Sequence, residues 1–151
     1  MAVNEYQGSR SYIDLIETLR DTCLNNKNIK TVSVGDLSEV DLEKQSIYPL
    51  SHIMINTANF SSTIITYDVN ILFMDVVHSD TTENEAVIYD NDNENFVLNT
   101  MLNAGNHVTD EFNSGNLNDG NTRIMRETVI AEPFKDRFEN LVAGWAFNFQ
   151  V

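Results

Sequence analysis

From Ser11 onward, apolar residues recur every three or four positions, at Tyr12, Leu15, Ile16, Leu19 and Cys23. That is the spacing of one helical face. Ser11 stands where a capping residue belongs, with Asp14 three positions later. The helix should stop in Asn25-Asn26-Lys27-Asn28, because asparagine tolerates the left-handed conformation that ends helices. Residues 1–9 are polar and are expected to form a flexible N-terminus. Residues 30–34 predict a short strand halted at Gly35-Asp36, and residues 36–46 a polar, acidic loop. Residues 47–55 predict a second strand, with Pro49 near its start favouring an edge or a strand beginning. Residues 56–62 are a cluster of turn formers.

The clearest strand is 63–77, where Ile65, Tyr67, Val69, Ile71 and Phe73 alternate with Thr66, Asp68, Asn70 and Leu72. At ~3.3 Å per residue it would reach about 45 Å, against a usual ~17–20 Å, so it must bend or project past its own domain. An acidic, asparagine-rich loop is expected at 78–95, around a small apolar knot of Val87, Ile88 and Tyr89. A second helix over 94–112 carries Val97, Met101, Ala104, Val108 and Phe112 as one stripe, flanked by Leu98 and Leu102. Gly105 inside it costs about 1 kcal/mol of helix propensity. After a turn-rich stretch at 113–122, residues 123–131 predict a strand, 133–140 a turn with a charged flank, and 141–151 a final strand. In that strand Trp145, Phe147, Phe149 and Val151 face one way, and Ala146, Asn148 and Gln150 the other. The order helix, three strands, helix, two strands favours an α+β fold, a mostly antiparallel sheet against two main helices, over βαβ winding.

A chain of 151 residues that is 42% hydrophobic predicts one structural domain spanning 1–151. Charge narrows its partners. Asp and Glu number 23 against 9 Lys and Arg, a formal net charge of −14, and no basic residue lies between Lys44 and Arg123. A protein that reads nucleic acid needs cations to neutralise phosphates. This field repels DNA and anionic membranes alike. A channel that conducts DNA without gripping it, however, should be acidic. With Cys23 the only cysteine, no internal disulfide is possible. The N-terminus lacks the basic flank and apolar run of a secretory signal, and no apolar stretch nears the ~20 residues that span a bilayer. Synthesis and folding in a reducing cytoplasm are expected, and Asn59-Phe60-Ser61 is then a chance glycosylation sequon.

Candidate chemistry is sparse. His52, His78 and His107 fall on different elements, none with a second histidine at helical zinc spacing. His78, with Asp75 and Asp80, is the best local grouping for a hard metal, although a strand ending in solvent explains it more simply. Asp90-Asn91-Asp92-Asn93-Glu94 opens like a calcium loop, but the sixth and twelfth positions hold Asn95 and Met101 instead of Gly and Glu. Cys23 lies on the first helix's apolar face, which points to packing. Neither a Gly-x-Ser-x-Gly elbow nor a glycine-rich phosphate loop is present. No catalytic, cofactor or metal site is therefore expected. The aromatic excess offers a different clue. Phe134, Phe138, Trp145, Phe147 and Phe149 crowd the last stretch of chain. They either cover their own core or, with Tyr67 of the long strand, contact a neighbouring subunit by strand addition.

Taken together, these segments resemble the small tail-terminator, tail-completion and neck proteins of tailed bacteriophages. The resemblance is carried by the helix SYIDLIETLR, the strand IYPLSHIMI with its Tyr48-Pro49-Leu50 step, and the long strand TIITYDVNILFMDVV with an acidic loop after it. The helix FVLNTMLNAGNHV and the closing AEPFKDRFENLVAGWAFNFQV complete it, so that it covers most of the chain. The 20 asparagines suit an AT-rich phage genome. The resemblance implies a mostly antiparallel sheet on helices, and six copies in a ring that caps the tail tube or joins tail to head. It also implies tube and neck or connector proteins as partners, DNA passing without specific binding, and a place in the virion tail or neck after synthesis in the host cytoplasm. Such a ring uses a heterologous contact closed by symmetry. Asp75, Asp80, Glu83, Glu85, Asp90, Asp92 and Glu94 would supply an acidic lumen wall, or else merely solubilise a surface loop. The insert at 78–95 departs from the commoner pattern of the family. Other readings are a baseplate or head-completion component, a small metal-dependent enzyme using His78, Asp75 and Asp80, and an acidic inhibitor that mimics nucleic acid.

Overall fold

A computed structural model of the chain describes residues 11–39, 47–62, 65–77, 94–113, 129–137 and 141–151. The expectations for 1–9, 40–46, 78–93 and 114–128 lie outside these. The described residues form two helices, α1 (Ser11–Leu24) and α2 (Glu94–Asn113). Five strands accompany them: β1 (Thr31–Val34), β2 (Leu50–Phe60), β3 (Ile65–Val76), β4 (Ile130–Arg137) and β5 (Leu141–Gln150). The strands make one sheet in the order β1-β2-β3-β5-β4. β1 joins β2 in parallel, and every other pair is antiparallel. The fold is α+β, in the chain order that the hydrophobic pattern gives.

Both helices cover one face of the sheet. Leu15, Leu19 and Cys23 from α1 meet Val97, Met101, Ala104, Val108 and Phe112 from α2 over the odd positions of β3 and β5. Side chains that alternate along a strand can serve only one face per parity, so Val69, Ile71, Phe73 and Phe147 point together into this layer. Fully burying each such side chain contributes about 1.5–3 kcal/mol. Gly105 has its reason here. A Cβ at this position of α2 would run into the ring of Phe147, so the glycine lets the helix lie closer to β5 than any other residue would. The opposite face carries a smaller cluster of Tyr48, Leu50, Met74, Val76 and Val142, with Leu37, Ile47, Leu72 and Phe134 against it.

Two boundaries differ from the sequence pattern. The turn expected at 56–62 is instead the second half of β2, which continues to Phe60. The register slips between Ile55 and Thr57, leaving Asn56 as an extra residue. Such a bulge inverts strand parity. Before it Ile53 and Ile55 face the helices; after it Ala58 and Phe60 do, opposite Tyr67 and Ile65. The turn expected at 133–140 is largely β4, with Pro133 on an edge strand, where a missing amide is harmless. Pro49 immediately precedes β2, a strand beginning, but β2 is flanked on both sides by β1 and β3.

β3 is 12 residues long, or about 40 Å, and it projects. β5 accompanies it from Val76 only to Asp68, and the backbones of Tyr67 and Val151 then close the pair with two hydrogen bonds of 2.9 and 3.0 Å. β1 leaves β2 still earlier, at Ile53. The β2–β3 hairpin therefore runs on past β1 as an arm, with the β5 side accompanying it as far as Val151 opposite Tyr67.

Candidate interaction surfaces

Of the acids expected to line a lumen, Asp80, Glu83, Glu85, Asp90 and Asp92 lie outside the described residues. The other two lie toward the same end of the sheet, opposite the arm. Asp75 stands in register with Ala143, which in turn faces Lys135. The Lys135 ammonium donates to Glu94 Oε2 at 2.7 Å, joining β4 to the start of α2. Asp75 Oδ1 accepts the amide of Val76 at 2.8 Å. Glu94 thus carries a cation beside it and adds less to the field than its charge alone suggests.

The aromatic candidates divide by parity. Tyr67, Phe147 and Phe149 are 8%, 5% and 2% exposed, so this fold spends them on its own core. Phe147 meets Phe73 edge-on at 5.4 Å, and Phe149 lies 6.0 Å from Phe112. Trp145 donates its indole N–H to the Leu98 carbonyl at 2.8 Å and pins α2 to β5. Phe134 packs on the smaller cluster of the other face. Phe138 lies outside the described residues.

One patch of exposed apolar surface lies around the arm, while Leu24, Phe96, Leu102 and Ile130 are exposed elsewhere on the described residues. Phe60, near the tip of the arm, is 78% exposed; Tyr12 and Val34 are 52% and 38% exposed. Tyr12 packs against Tyr67 at the base of the arm, with ring centroids 6.2 Å apart. Gly35, at φ 113°, turns the chain away after β1, and its amide makes the last bond to Ile53. Beyond it an open groove of about 320 Å³ lies between Tyr12, Val34, Gly35, Asp36, Met54, Ile55 and Asn56. One signal for this surface was present in the chain: residues 45–67 contain no Asp, Glu, Lys or Arg, in a sequence that is 21% charged.

The nucleophile and base candidates are occupied structurally. Cys23 is fully buried, receives the Ser51 hydroxyl at 3.4 Å, and has its thiol pushed up to about 11 by burial. Such a thiol is not a nucleophile near neutrality. His52 faces Ser33 across the β1–β2 pair, with Nδ1 2.6 Å from the serine hydroxyl and Nε2 2.8 Å from the Gly35 carbonyl. His107 pairs with Glu111 one turn along α2, at 3.8 Å and half exposed. His78 lies outside the described residues. Among the described residues no three His, Cys, Asp or Glu side chains gather to hold an ion, and no helix is long and apolar enough to cross a membrane.

His52 makes stability depend on pH. Burial lowers its pKa below the ordinary 6.5, against smaller opposing effects of the Gly35 carbonyl and the Asp36 charge. The unfolded chain therefore binds the proton more readily, and stability rises with pH through this window. The contribution is complete above about pH 6.5 and is lost as pH falls toward the folded-state value. Urea midpoints should drop between about pH 8 and about pH 5.5, before most carboxylates titrate, and His52→Asn should flatten that slope. An unchanged slope in the variant would assign the effect elsewhere.

No protein-family model and no curated protein matches this chain.

Proposed function

We propose that this chain is a structural virion subunit of a tailed bacteriophage, a tail-terminator or neck protein that works in a ring at the tube end or head–tail junction. The observation that carries the reading is the architecture: helix, three strands, helix, two strands, with antiparallel pairing across β2, β3, β5 and β4 and both helices on one face. That is the arrangement implied by the resemblance of the segments to such proteins. Two features support it. The projecting arm gives the protomer a surface beyond its own core, as an assembling subunit needs. The net charge of −14 suits a wall along which DNA slides.

In this role the chain performs no turnover. Its chemistry is shape, an uncharged contact surface and an acidic field. The test is location. Purified phage particles probed with an antibody to this chain should carry label at one end of the tail or at its junction with the head. Particles without label, or with label distributed over the head shell or at the baseplate, would overturn the assignment.

A further inference from the structure

We propose that the β2–β3 arm is a self-complementary docking surface by which two copies of this chain pair across a twofold axis, each arm filling the notch that β1 leaves beside the other's β2. This goes beyond the ring reading and does not depend on it.

The backbone supplies the first argument. The last bond that β1 makes to β2 is Gly35 N–H to the Ile53 carbonyl at 3.0 Å. From Met54 to Phe60, no described strand lies along that edge of β2, and residues 56–60 are all exposed. A bare strand edge is a template for another strand. Two copies brought together antiparallel along it place their bodies at opposite ends, so the bodies do not collide. A parallel approach along the same edge would drive each copy's β1 into the other's β2.

Side-chain parity supplies the second. In an antiparallel pair, residues directly opposite share a face. Ala58 and Phe60 both face the helix side after the bulge at Asn56. Centred on Ala58, the pairing sets Phe60 of the second copy opposite Asn56 of the first. That is the rim of the 320 Å³ groove lined by Tyr12, Val34 and Ile55. The most exposed large apolar side chain of the described residues thus meets a groove that offers it Tyr12, Val34 and Ile55 beside the polar Asp36 and Asn56, and the twofold repeats the contact in reverse. Residue i touching j while j touches i is the signature of an isologous interface.

Charge supplies the third, and it selects the partner. Two chains of net charge −14 repel over most of their surfaces. Residues 45–67 are free of Asp, Glu, Lys and Arg, so they offer the approach on which like-charged copies meet least resistance. A basic partner would be drawn to the acids instead.

The experiment uses the purified chain. Sedimentation or light scattering over a range of concentrations should show a monomer–dimer equilibrium. Phe60→Asp, at an exposed position, should leave the far-ultraviolet circular dichroism unchanged and weaken pairing roughly thirtyfold or more, as loss of an aromatic hot spot does. Ala58→Cys places two thiols at the axis, where Cα atoms of opposed residues are ~4.5–5.5 Å apart and a disulfide closes without backbone movement. Under mild oxidation this variant should become a covalent dimer, while the parent, whose only cysteine is buried, should not. A mass that stays monomeric at every concentration, an assembly indifferent to Phe60→Asp, or no crosslink through Ala58→Cys would each overturn the proposal. Antibody location in particles is read separately, so the arm and the phage assignment can fail independently.

Discussion

Phe73→Ala is expected to lower the free energy of unfolding by about 3–5 kcal/mol, the range for removing a buried aromatic ring. Phe73 is 1% exposed at the middle of β3, flanked in register by Ser51 of β2 and Trp145 of β5. Its ring meets Phe147 edge-on, with ring planes at 83°, in the layer where the sheet receives both helices. The cost depends on how far the surroundings can collapse into the void. Here they collapse little. β3 is bonded on both sides, and Phe147 is held between Phe73 and Gly105. Domains have only ~5–15 kcal/mol of net stability, so the variant gives up about a fifth of it or more. Urea titration of both proteins by circular dichroism measures the difference. A loss under about 1 kcal/mol would show that the ring contributes less packing than its position indicates.

The parts of the fold legible in the sequence are those where one periodicity runs uninterrupted. β3 alternates from Ile65 to Phe73, and α2 repeats Val97, Met101, Ala104, Val108 and Phe112 without a break. β2 was legible only up to its bulge. Asn56 inserts one residue and reverses parity, and the run Thr57-Ala58-Asn59 has the composition of a turn although it continues the ladder. β4 was obscured by Pro133 and by charges that an edge strand can carry. The parallel pairing of β1 with β2 leaves no local mark at all, because it depends on where α1 and the segment before β2 place the two strands.

The surfaces were harder to read for a related reason. Aromatic content does not say which side of a strand faces water. Phe147 and Phe149 looked like contact residues until the helices covered their face, whereas Phe60 passed as part of a turn. Glu94 counted as a wall acid because Lys135, distant in sequence, gives no sign of its approach until β4 is placed beside β5.

Gly144→Ala is the second large effect, and it isolates what the central sheet tolerates. Gly144 lies on β5 between Met74 of β3 and Phe134 of β4, and is buried. A Cβ there would strike the Phe73 carbonyl oxygen and sit 2.8 Å from the Met74 Cα and 2.9 Å from the Phe73 carbonyl carbon. At Gly105 the obstacle is a side chain, the Phe147 ring, which must shift against Phe73 but leaves the sheet's hydrogen bonds in place. At Gly144 it is backbone, which yields only if β3 and β5 separate. Overpacking a core costs ~1–3 kcal/mol and occasionally more, and Gly144→Ala should reach or pass the top of that range. β4 reaches the rest of the sheet only through β5, so parting β5 from β3 should also raise amide exchange along Ile130–Arg137 and Leu141–Gln150. Urea titration beside Gly105→Ala decides the point: the Gly144 variant should lose clearly more stability, and an equal or smaller loss would mean that the β3–β5 joint can open to admit a methyl group.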